Sequence, residues 1–576
     1  MPSDPGSVHP RHSRAAYRWP LTLLLLSFLT FFAGLGRQAI GDADEGFYAE
    51  AAREMAEGGD WLTPRFNYQD RWQKPILYYW LTAATYQITG ATEWAARFWS
   101  ALSGLGLVLV TWLASRRLLG DGRAAWLAGA VTATCYGYFE MARNALPDLP
   151  LAFCITVAIF AALAAVDASR TADAANDTRL RWCILSGFSV GLGFLLKGPV
   201  AIAVPVIVLL PIFWLENREA EPPHIGARHI AAAFIVFLVI ALPWYLAMTR
   251  VHGIAYLQSF FITDNLERFA TDRFNDPRPV WFYVPIVVGG MMPWASYLIC
   301  LPRVAVTELA RRRRRLTRTE RRLLIWAIVP FLFFTLSIGK QPRYVLPVLP
   351  PIAILLGDSL RRRLDRMADA STPGRRDISI ATWTTAATYA VLALLLFRAR
   401  ALFITAYPWA TWLGVILMVA SGVVVAGLAL ARAWKQLAGG IAVTAATVLV
   451  ATQFGAFAGM RPEPVEEMAG LVQTNRTAGE RVGELDVFER NLIFYTRFPQ
   501  VDLPDDQSAI AFLRSPDRVL LVLGAADLDR LESASGVAMS RLGQVRYFNT
   551  ANVKLRTLLL PDPARDVQTV YLVANR

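Results

Sequence analysis

The stretch Gly41-Asp42-Ala43-Asp44-Glu45-Gly46-Phe47-Tyr48-Ala49-Glu50 sets three carboxylates, Asp42, Asp44 and Glu45, within four positions. Buried together they would repel one another, so a site that binds a hydroxyl, an amine or a divalent metal would give them a use. The same stretch also reads as the start of a helix with Asp44 as its N-cap, and the two readings are compatible. Asp148, in Asn144-Ala145-Leu146-Pro147-Asp148-Leu149-Pro150, is a lone carboxylate between apolar runs. A helix cap accounts for it alone, and it gains weight when placed on the same side as Asp44.

The cations are as selective as the acids. The chain has five lysines, and three lie beside Pro or Gly turns: Gln73-Lys74-Pro75, Leu196-Lys197-Gly198-Pro199 and Gly339-Lys340-Gln341-Pro342-Arg343-Tyr344. Arg268 and Arg273 fall in a loop on the same side. Snorkelling explains any one of them. Several together suggest a pocket for an anionic headgroup, with phosphate or pyrophosphate as the natural guest. Cys135, Cys154, Cys183 and Cys300 all fall inside apolar stretches and read as buried, inert thiols rather than a disulfide or metal framework. The five histidines show no ligand spacing, and His252 reads as an ordinary loop residue.

The elements that must position these groups are set by composition. Of 576 residues, 55% are hydrophobic and only 18% charged, and the mean hydropathy is +0.36. A soluble chain would carry about a quarter charged residues, and this much apolar surface exceeds what one soluble core can absorb. Disorder and nucleic-acid binding are poor readings, because the apolar content is high and the basic residues sit between hydrophobic runs. The chain reads as a polytopic α-helical membrane protein. Runs long enough to span hydrocarbon fall at 21–37, 97–115, 124–142, 149–166, 183–197, 199–215, 230–248, 281–302, 323–339, 344–360, 379–397, 410–431 and 437–459. That is about thirteen spans, in a membrane domain over 21–460. The first run does not read as a cleaved signal peptide, because no small-residue cleavage site follows it.

Arginine sets the orientation. Arg11, Arg14 and Arg18 precede the first span; Arg116, Arg117 and Arg123, then Arg170, Arg179 and Arg181, then Arg311–Arg315 with Arg318, Arg321 and Arg322, then Arg361–Arg363, Arg366, Arg375 and Arg376 fill alternate loops. These loops are therefore expected in the cytoplasm, together with the N-terminus, residues 1–20. The net charge of +13 is then mostly an orientation signal. Loops 38–96 and 249–280 are expected on the outer face. The first holds a plausible amphipathic helix, Glu45–Met55, and a Trp/Tyr-rich stretch, Trp72–Trp80, suited to the membrane interface. Residues 461–576 lose the apolar runs and read as a small outer α/β domain, with a strand at Val519–Leu523 and a helix at Leu528–Ser533.

With Asp44-Glu45, Tyr48-Ala49-Glu50, Gly59-Asp60-Trp61, Pro64-Arg65-Phe66 and Lys74-Pro75 in one outer loop, the chain resembles the membrane-embedded glycosyltransferases of C-type fold. These use polyprenyl-phosphate sugars and include the protein O-mannosyltransferases. Leu196-Lys197-Gly198, Arg268-Phe269-Ala270, the Trp281-to-Pro293 span, Gly339-Lys340 and Tyr344-Val345-Leu346-Pro347 are closer to the lipid A aminoarabinose transferases. The resemblance covers roughly residues 15–360. It implies an inverting transfer of a sugar, aminoarabinose above all, from an undecaprenyl-phosphate carrier to lipid A or another envelope glycolipid at the periplasmic face of the bacterial inner membrane. It further implies Asp44 as general base or acceptor-orienting acid and Asp148 as the second carboxylate. Lys74, Arg268 and Tyr344, with Lys197, Lys340, Arg343 and Tyr48, would bind the donor phosphate, and Glu45 and Asp42 are further acidic-loop candidates. Two departures stand out. Asp44-Glu45-Gly46-Phe47-Tyr48 replaces the usual Asp-Glu-Thr-Arg-Tyr and lacks its arginine, and Gln73-Lys74-Pro75 replaces Glu-Lys-Pro and lacks a carboxylate that could ligate a metal. No cofactor is required by the pattern, while a divalent metal stays open.

Two other readings compete. Another sugar, such as a hexose, could pass from a polyprenyl-phosphate donor to protein or polysaccharide. A lipid or solute transporter would show repeated halves with broken helices and charges near mid-membrane. Here the charges cluster at one face.

Overall fold

Helices form at every range where an apolar run was read. The computed structural model describes residues 15–170, 177–220, 222–271, 278–301, 316–368, 375–550 and 553–576. Arg11, Arg14, Arg273 and Arg311–Arg315 lie outside them, as do the side chains of Arg18 and Arg375.

Among the described residues up to 252 the α-helices are α1 Ala15–Ser27, α2 Asp44–Gly58, α3 Leu77–Thr89, α4 Glu93–Leu119, α5 Gly122–Thr134, α6 Tyr136–Ala142, α7 Asp148–Ala168, α8 Thr178–Lys197, α9 Val200–Glu216 and α10 Ala227–His252. Later come Tyr283–Gly290, Arg318–Leu336, Leu349–Ala368, Arg375–Ala399, Pro408–Leu430 and Trp434–Thr452. Local chemistry starts and stops them. Thr92 and Asp121 accept backbone N–H bonds at the heads of α4 and α5, and Gly120 closes α4 in the left-handed region. Thr317 and Glu320 form a reciprocal capping box. Among the described residues eight helical segments are long and apolar enough to cross a membrane, and two shorter apolar ones occur at Trp19–Phe32 and Val200–Glu216. The α7 helix is apolar all round and buried on most sides, as expected of a central helix. By contrast α10 leaves Phe234, Val239 and Leu246 exposed, a surface that suits lipid and not water. The protein is a polytopic helical membrane protein.

The arginine-rich helix ends gather at one end of the bundle. Arg322 donates to Glu216 at 2.6 and 2.8 Å and to Asp167 at 2.8 Å. Arg170 reaches Glu216 at 3.1 Å, and Arg361 pairs with Asp121 at 2.8 Å. These contacts tie the ends of α7, α9 and Arg318–Leu336 together and the head of α5 to Leu349–Ala368, opposite Asp148 and Lys197 at the other ends of α7 and α8.

The outer loop 38–96 differs from expectation in its setting. The Glu45–Met55 helix forms as α2, yet nearly all of it is buried, including Glu45, Glu50, Arg53 and Glu54. Tyr78 and Tyr79 of the aromatic stretch are fully buried too. They face Tyr48 on α2, with ring centroids 5.6 and 5.3 Å away. The aromatics therefore cement α2 to α3, where an interfacial belt was expected. A two-stranded hairpin, β1 Arg65–Phe66 and β2 Gln69–Asp70, completes the loop.

The C-terminal region forms a five-stranded sheet, order β4-β3-β5-β7-β6, from β3 Arg481–Glu484, β4 Val501–Asp502, β5 Val519–Gly524, β6 Ser540–Tyr547 and β7 Gln568–Ala574. Strands β4, β3 and β5 run parallel, and β7 is antiparallel to both β5 and β6. The central β5 is buried along its whole length, which is why it was legible as a continuous apolar run. The predicted helix after it spans Ala525–Ser535. This region docks on the first outer loop. Asn491 donates to Ile40 O at 2.8 Å, Ile40 N donates to the Tyr495 hydroxyl at 2.9 Å, and a Cβ at Gly46 would lie 2.3 Å from Arg490 O. Gly46 therefore permits a backbone approach that no other residue allows.

Candidate active site

A cavity of about 420 Å³ opens where the outer ends of α7, α8 and α9 meet the loops around Lys74, Arg268 and Arg343. One part of its wall is charged: Lys74, Asp148, Lys197, Arg268 and Arg343, with Tyr344. The rest is apolar, from Leu151, Ile155, Val200, Phe260, Phe269 and Phe333 among others. Each polar group is placed by the end of an element. Asp148 is the first residue of α7 and Lys197 the last of α8. Gly198 then turns the chain at φ +73°, with its position closed against Phe260, a conformation that favours glycine. Arg268 follows the helical turn Gln258–Glu267, and Arg343 and Tyr344 lie in the tight helical segment Pro342–Val348.

The charges form a connected array. Asp148, 5% exposed, pairs with Lys197 and lies 3.5 Å from Arg343 Nε. Arg343 also pairs with Asp44, which is far more open at 40%. The Lys197 ammonium sits 4.7 Å from the Tyr344 ring centroid, a favourable cation–π approach. Arg268 approaches Asp264 at 3.5 Å. Neither Asp44 nor Asp148 is an N-cap; those positions are Ala43 and Pro147. Both carboxylates are used on cations instead.

Ionisation follows from these neighbours. Burial raises the Asp44 carboxyl, but Arg343, with Lys74 and Arg490 behind it, more than offsets this and holds it below its ordinary value. Burial pushes the Lys74 ammonium down to about 7, and Arg268 and Lys197 add to the effect while Asp264 opposes it. Lys74 is thus a cation short of counter-charge.

Of the residues read from sequence, Asp148, Lys74, Lys197, Arg268, Arg343 and Tyr344 come together in one wall, and Asp44 joins through Arg343. Tyr48 is buried beside them, stacked on Tyr79. Lys340 lies apart, its ammonium donating to Ser337 O at 2.5 Å. Asp42 accepts from Arg490 N at 2.9 Å. Glu45 accepts from Arg97 at 2.8 and 2.9 Å and from the backbone of Gly41 and Ala145, both at 2.8 Å. The three acids are therefore splayed, and only Asp44 turns toward the cavity's charged wall. Among the described residues no group of three or more His, Cys, Asp or Glu side chains could hold a metal ion. The four cysteines form no disulfide and are all buried.

Some participants were not foreseen. Asp264 and Asn265 line the cavity from the helical turn Gln258–Glu267, where the sequence shows no motif. Phe47, where an arginine was missed in the motif, has the guanidinium carbons of Arg71 and Arg490 3.9 and 4.8 Å from its ring centroid. Cations thus surround that position from outside the motif, one of them from the C-terminal region.

Arg97 makes a clear structural prediction. Arg97→Ala leaves the Glu45 carboxylate, 4% exposed, without its counter-ion, and the expected loss is about 3–5 kcal/mol of stability. Thermal unfolding of the detergent-purified chain checks this; an unchanged midpoint would free Glu45 for another role.

The chain is similar to several known proteins. A family model described as dolichyl-phosphate-mannose-protein mannosyltransferase matches residues 22–257. An undecaprenyl phosphate-alpha-4-amino-4-deoxy-L-arabinose arabinosyl transferase of Proteus mirabilis is 29% identical, the match covering 70% of this chain and 69% of that protein. A protein of the same name from Pseudomonas fluorescens is 34% identical, with 60% of each chain covered. The crystal structure of ArnT from Cupriavidus metallidurans bound to undecaprenyl phosphate superposes with a TM-score of 0.72, covering 97% of this chain and 98% of that one at 24% identity. The chain has the C-type glycosyltransferase fold. Over these stretches it is similar to the polyprenyl-phosphate glycosyltransferases that its motifs resemble. The matched stretch spans 69% of the first relative and about 60% of the second, while the fold likeness runs through the C-terminal sheet.

Proposed function

We propose that the protein is an inverting glycosyltransferase that moves a sugar, aminoarabinose, from an undecaprenyl-phosphate carrier to lipid A or a related envelope glycolipid. The observation that carries this reading is a single cavity with a cationic wall and apolar flanks. A polyprenyl phosphate has that same division. The lipid phosphate docks on Lys74, Lys197, Arg268 and Arg343, with Tyr344 beside it, and the isoprenoid chain lies against Phe260, Phe269 and Phe333. In the transfer an acceptor oxygen attacks the anomeric carbon from the face opposite the phosphate, the sugar C–O bond to phosphate breaks, and both electrons leave with the phosphate. The cations stabilise the charge that develops there. Asp44, ionised and open, takes the acceptor's proton or orients it. Asp148, nearly enclosed and engaged with two cations, positions Lys197 and Arg343.

The positive-inside rule places the arginine-rich end of the bundle in the cytoplasm. About thirteen spans then put the site, the loops 38–96 and 249–280 and the region 461–576 on the periplasmic side of the bacterial inner membrane. Mass spectrometry of lipid A from cells with and without the gene tests the acceptor. Loss of an aminoarabinose addition supports this reading. Unchanged lipid A would sink it in favour of another sugar, such as a hexose, passed to protein or polysaccharide.

A further inference from the structure

The connection between β6 and β7 leaves the sheet and reaches the helical bundle. Phe548, just after β6, meets Phe403 edge-on with ring centroids 6.2 Å apart, and Leu558 packs on the cluster that holds Tyr389, Ala393 and Leu396. Arg398, in the last turn of Arg375–Ala399, donates to Leu559 O at 3.0 Å from Nη2 and at 3.3 Å from Nε. The connection is thereby held at one end of that helix. At the helix's other end Asp377 pairs with Arg363 at 3.2 Å, within the arginine-rich end of the bundle. The connection therefore sits on the opposite side.

Three leucines of this connection are uncovered. Leu555, Leu559 and Leu560, in and just after the short helix Leu555–Leu559, are 64%, 43% and 59% exposed. A soluble surface rarely leaves such a cluster open to water. The adjoining helices indicate what covers it. Val391 and Leu394 are exposed along Arg375–Ala399, like the lipid-facing residues of α10, and lead up to Arg398 and Leu559. The next helix, Pro408–Leu430, starts at this same end, where its Trp412 ring lies 5.4 Å from that of Phe397. Trp409 and Trp412 are both exposed, and the Arg400 guanidinium lies 4.3 Å from the Phe397 ring centroid. Exposed tryptophans and arginines at helix ends mark the boundary between hydrocarbon and headgroups. The leucines are thus continuous with the lipid-facing surface, at headgroup depth. Charge agrees with this: Lys554 and Arg556 are exposed beside them, as are Arg398 and Arg400. The acids that follow are engaged, Asp562 by Ala564 N at 3.1 Å and Asp566 by Arg565 at 2.8 Å.

We propose that residues 554–560 anchor the C-terminal region in the membrane surface. Leu555, Leu559 and Leu560 enter the boundary between acyl chains and headgroups, and Lys554 and Arg556 meet the phosphates of anionic phospholipids there. The C-terminal region is then held at two separate places, on lipid through this segment and on the first outer loop through the close approach of Gly46 to Arg490. The anchor does not depend on which sugar or acceptor the protein uses.

The test is fluorescence quenching in the full chain. Leu560→Cys and, as a reference, Ser533→Cys at an exposed position of the helix Ala525–Ser535 are each labelled with bimane; the four native thiols are buried, and the wild-type chain serves as the labelling blank. Each protein is placed in nanodiscs of phosphatidylcholine and phosphatidylglycerol, with a nitroxide near the top of the acyl chain of one lipid or the other. The nitroxide lipids are expected to quench the label at position 560 roughly threefold or more above the label at 533, and aqueous iodide to do the reverse. At equal content, the nitroxide on phosphatidylglycerol is expected to quench position 560 more strongly than the nitroxide on phosphatidylcholine. Lys554→Gln combined with Arg556→Gln is expected to narrow that difference. Iodide quenching at 560 as strong as at 533, without added quenching by the lipids, would overturn the anchor and leave the patch to a protein partner. Equal quenching by the two nitroxide lipids would overturn the anionic-lipid contact. The comparison between the two label positions stands even if the double variant does not fold.

Discussion

Asp44→Asn is expected to lower the rate of sugar transfer by roughly 10²–10⁴-fold, the range for a positioned general base, while undecaprenyl phosphate still binds. The amide keeps the size and the reach toward Arg343 but can neither carry the charge nor accept a proton. Asp44 is singled out over its neighbours by geometry. Glu45 is enclosed by Arg97 and two backbone N–H groups, and Asp42 is turned toward Arg490 N. Asp148 is enclosed and shared between Lys197 and Arg343, whereas Asp44 is 40% exposed. Arg343 keeps Asp44 ionised at neutral pH, as a base must be. A steady-state assay with lipid-linked donor separates the effects: the account expects a fall in kcat with little change in donor KM. A variant with full activity would remove Asp44 from the mechanism.

Lys74→Ala is expected to weaken donor-phosphate binding by about 1.5–3 kcal/mol, the worth of a charge-assisted hydrogen bond, or roughly 10–150-fold. It is also expected to change the pH dependence. In the free protein the Lys74 ammonium titrates near 7 because of burial and of Arg268 and Lys197. A bound phosphate supplies the missing counter-charge and raises that value. Below pH 7 the lysine is already protonated and binding needs no extra proton. Above it, binding takes one up, so affinity falls with rising pH by a factor approaching ten per unit. Titrating affinity between pH 6 and 9 tests the sign. The wild-type slope should exceed that of Lys74→Ala above neutrality; parallel curves would show that Lys74 does not meet the phosphate.

The contrast between acids that look alike in sequence shows what could and could not be read there. Asp44 and Glu45 are adjacent in an acidic run, and only the packing of Arg97 on α4 tells the buried structural acid from the open one. Lys74, Lys197, Arg268 and Arg343 stood out because each breaks the positive-inside trend beside a Pro/Gly turn or in an outer loop, a signal with a physical cause. Lys340 carries the same signal but turns back onto its own loop at Ser337, a choice made by backbone geometry. The bundle was legible because a membrane helix must be apolar over its length. The strands β3 and β4 were not, being only a few residues long. Arg490 and Arg71 at Phe47 could not be foreseen, since the first lies more than four hundred positions away and meets α2 only through the docking that Gly46 permits. Likewise Trp72–Trp80 has the composition of an interface belt, and the α2–α3 packing alone buries its tyrosines.

The central claim is that the charged wall and the apolar flanks belong to one lipid-phosphate site. The most direct measurement is the affinity of the detergent-purified chain for undecaprenyl phosphate and for undecaprenol, which differ only in the phosphate. The account expects saturable binding of the phosphate at least a hundredfold tighter than of the alcohol, with Arg268→Ala narrowing the gap. Equal affinity for the two lipids, or a gap that Arg268→Ala leaves intact, would contradict it.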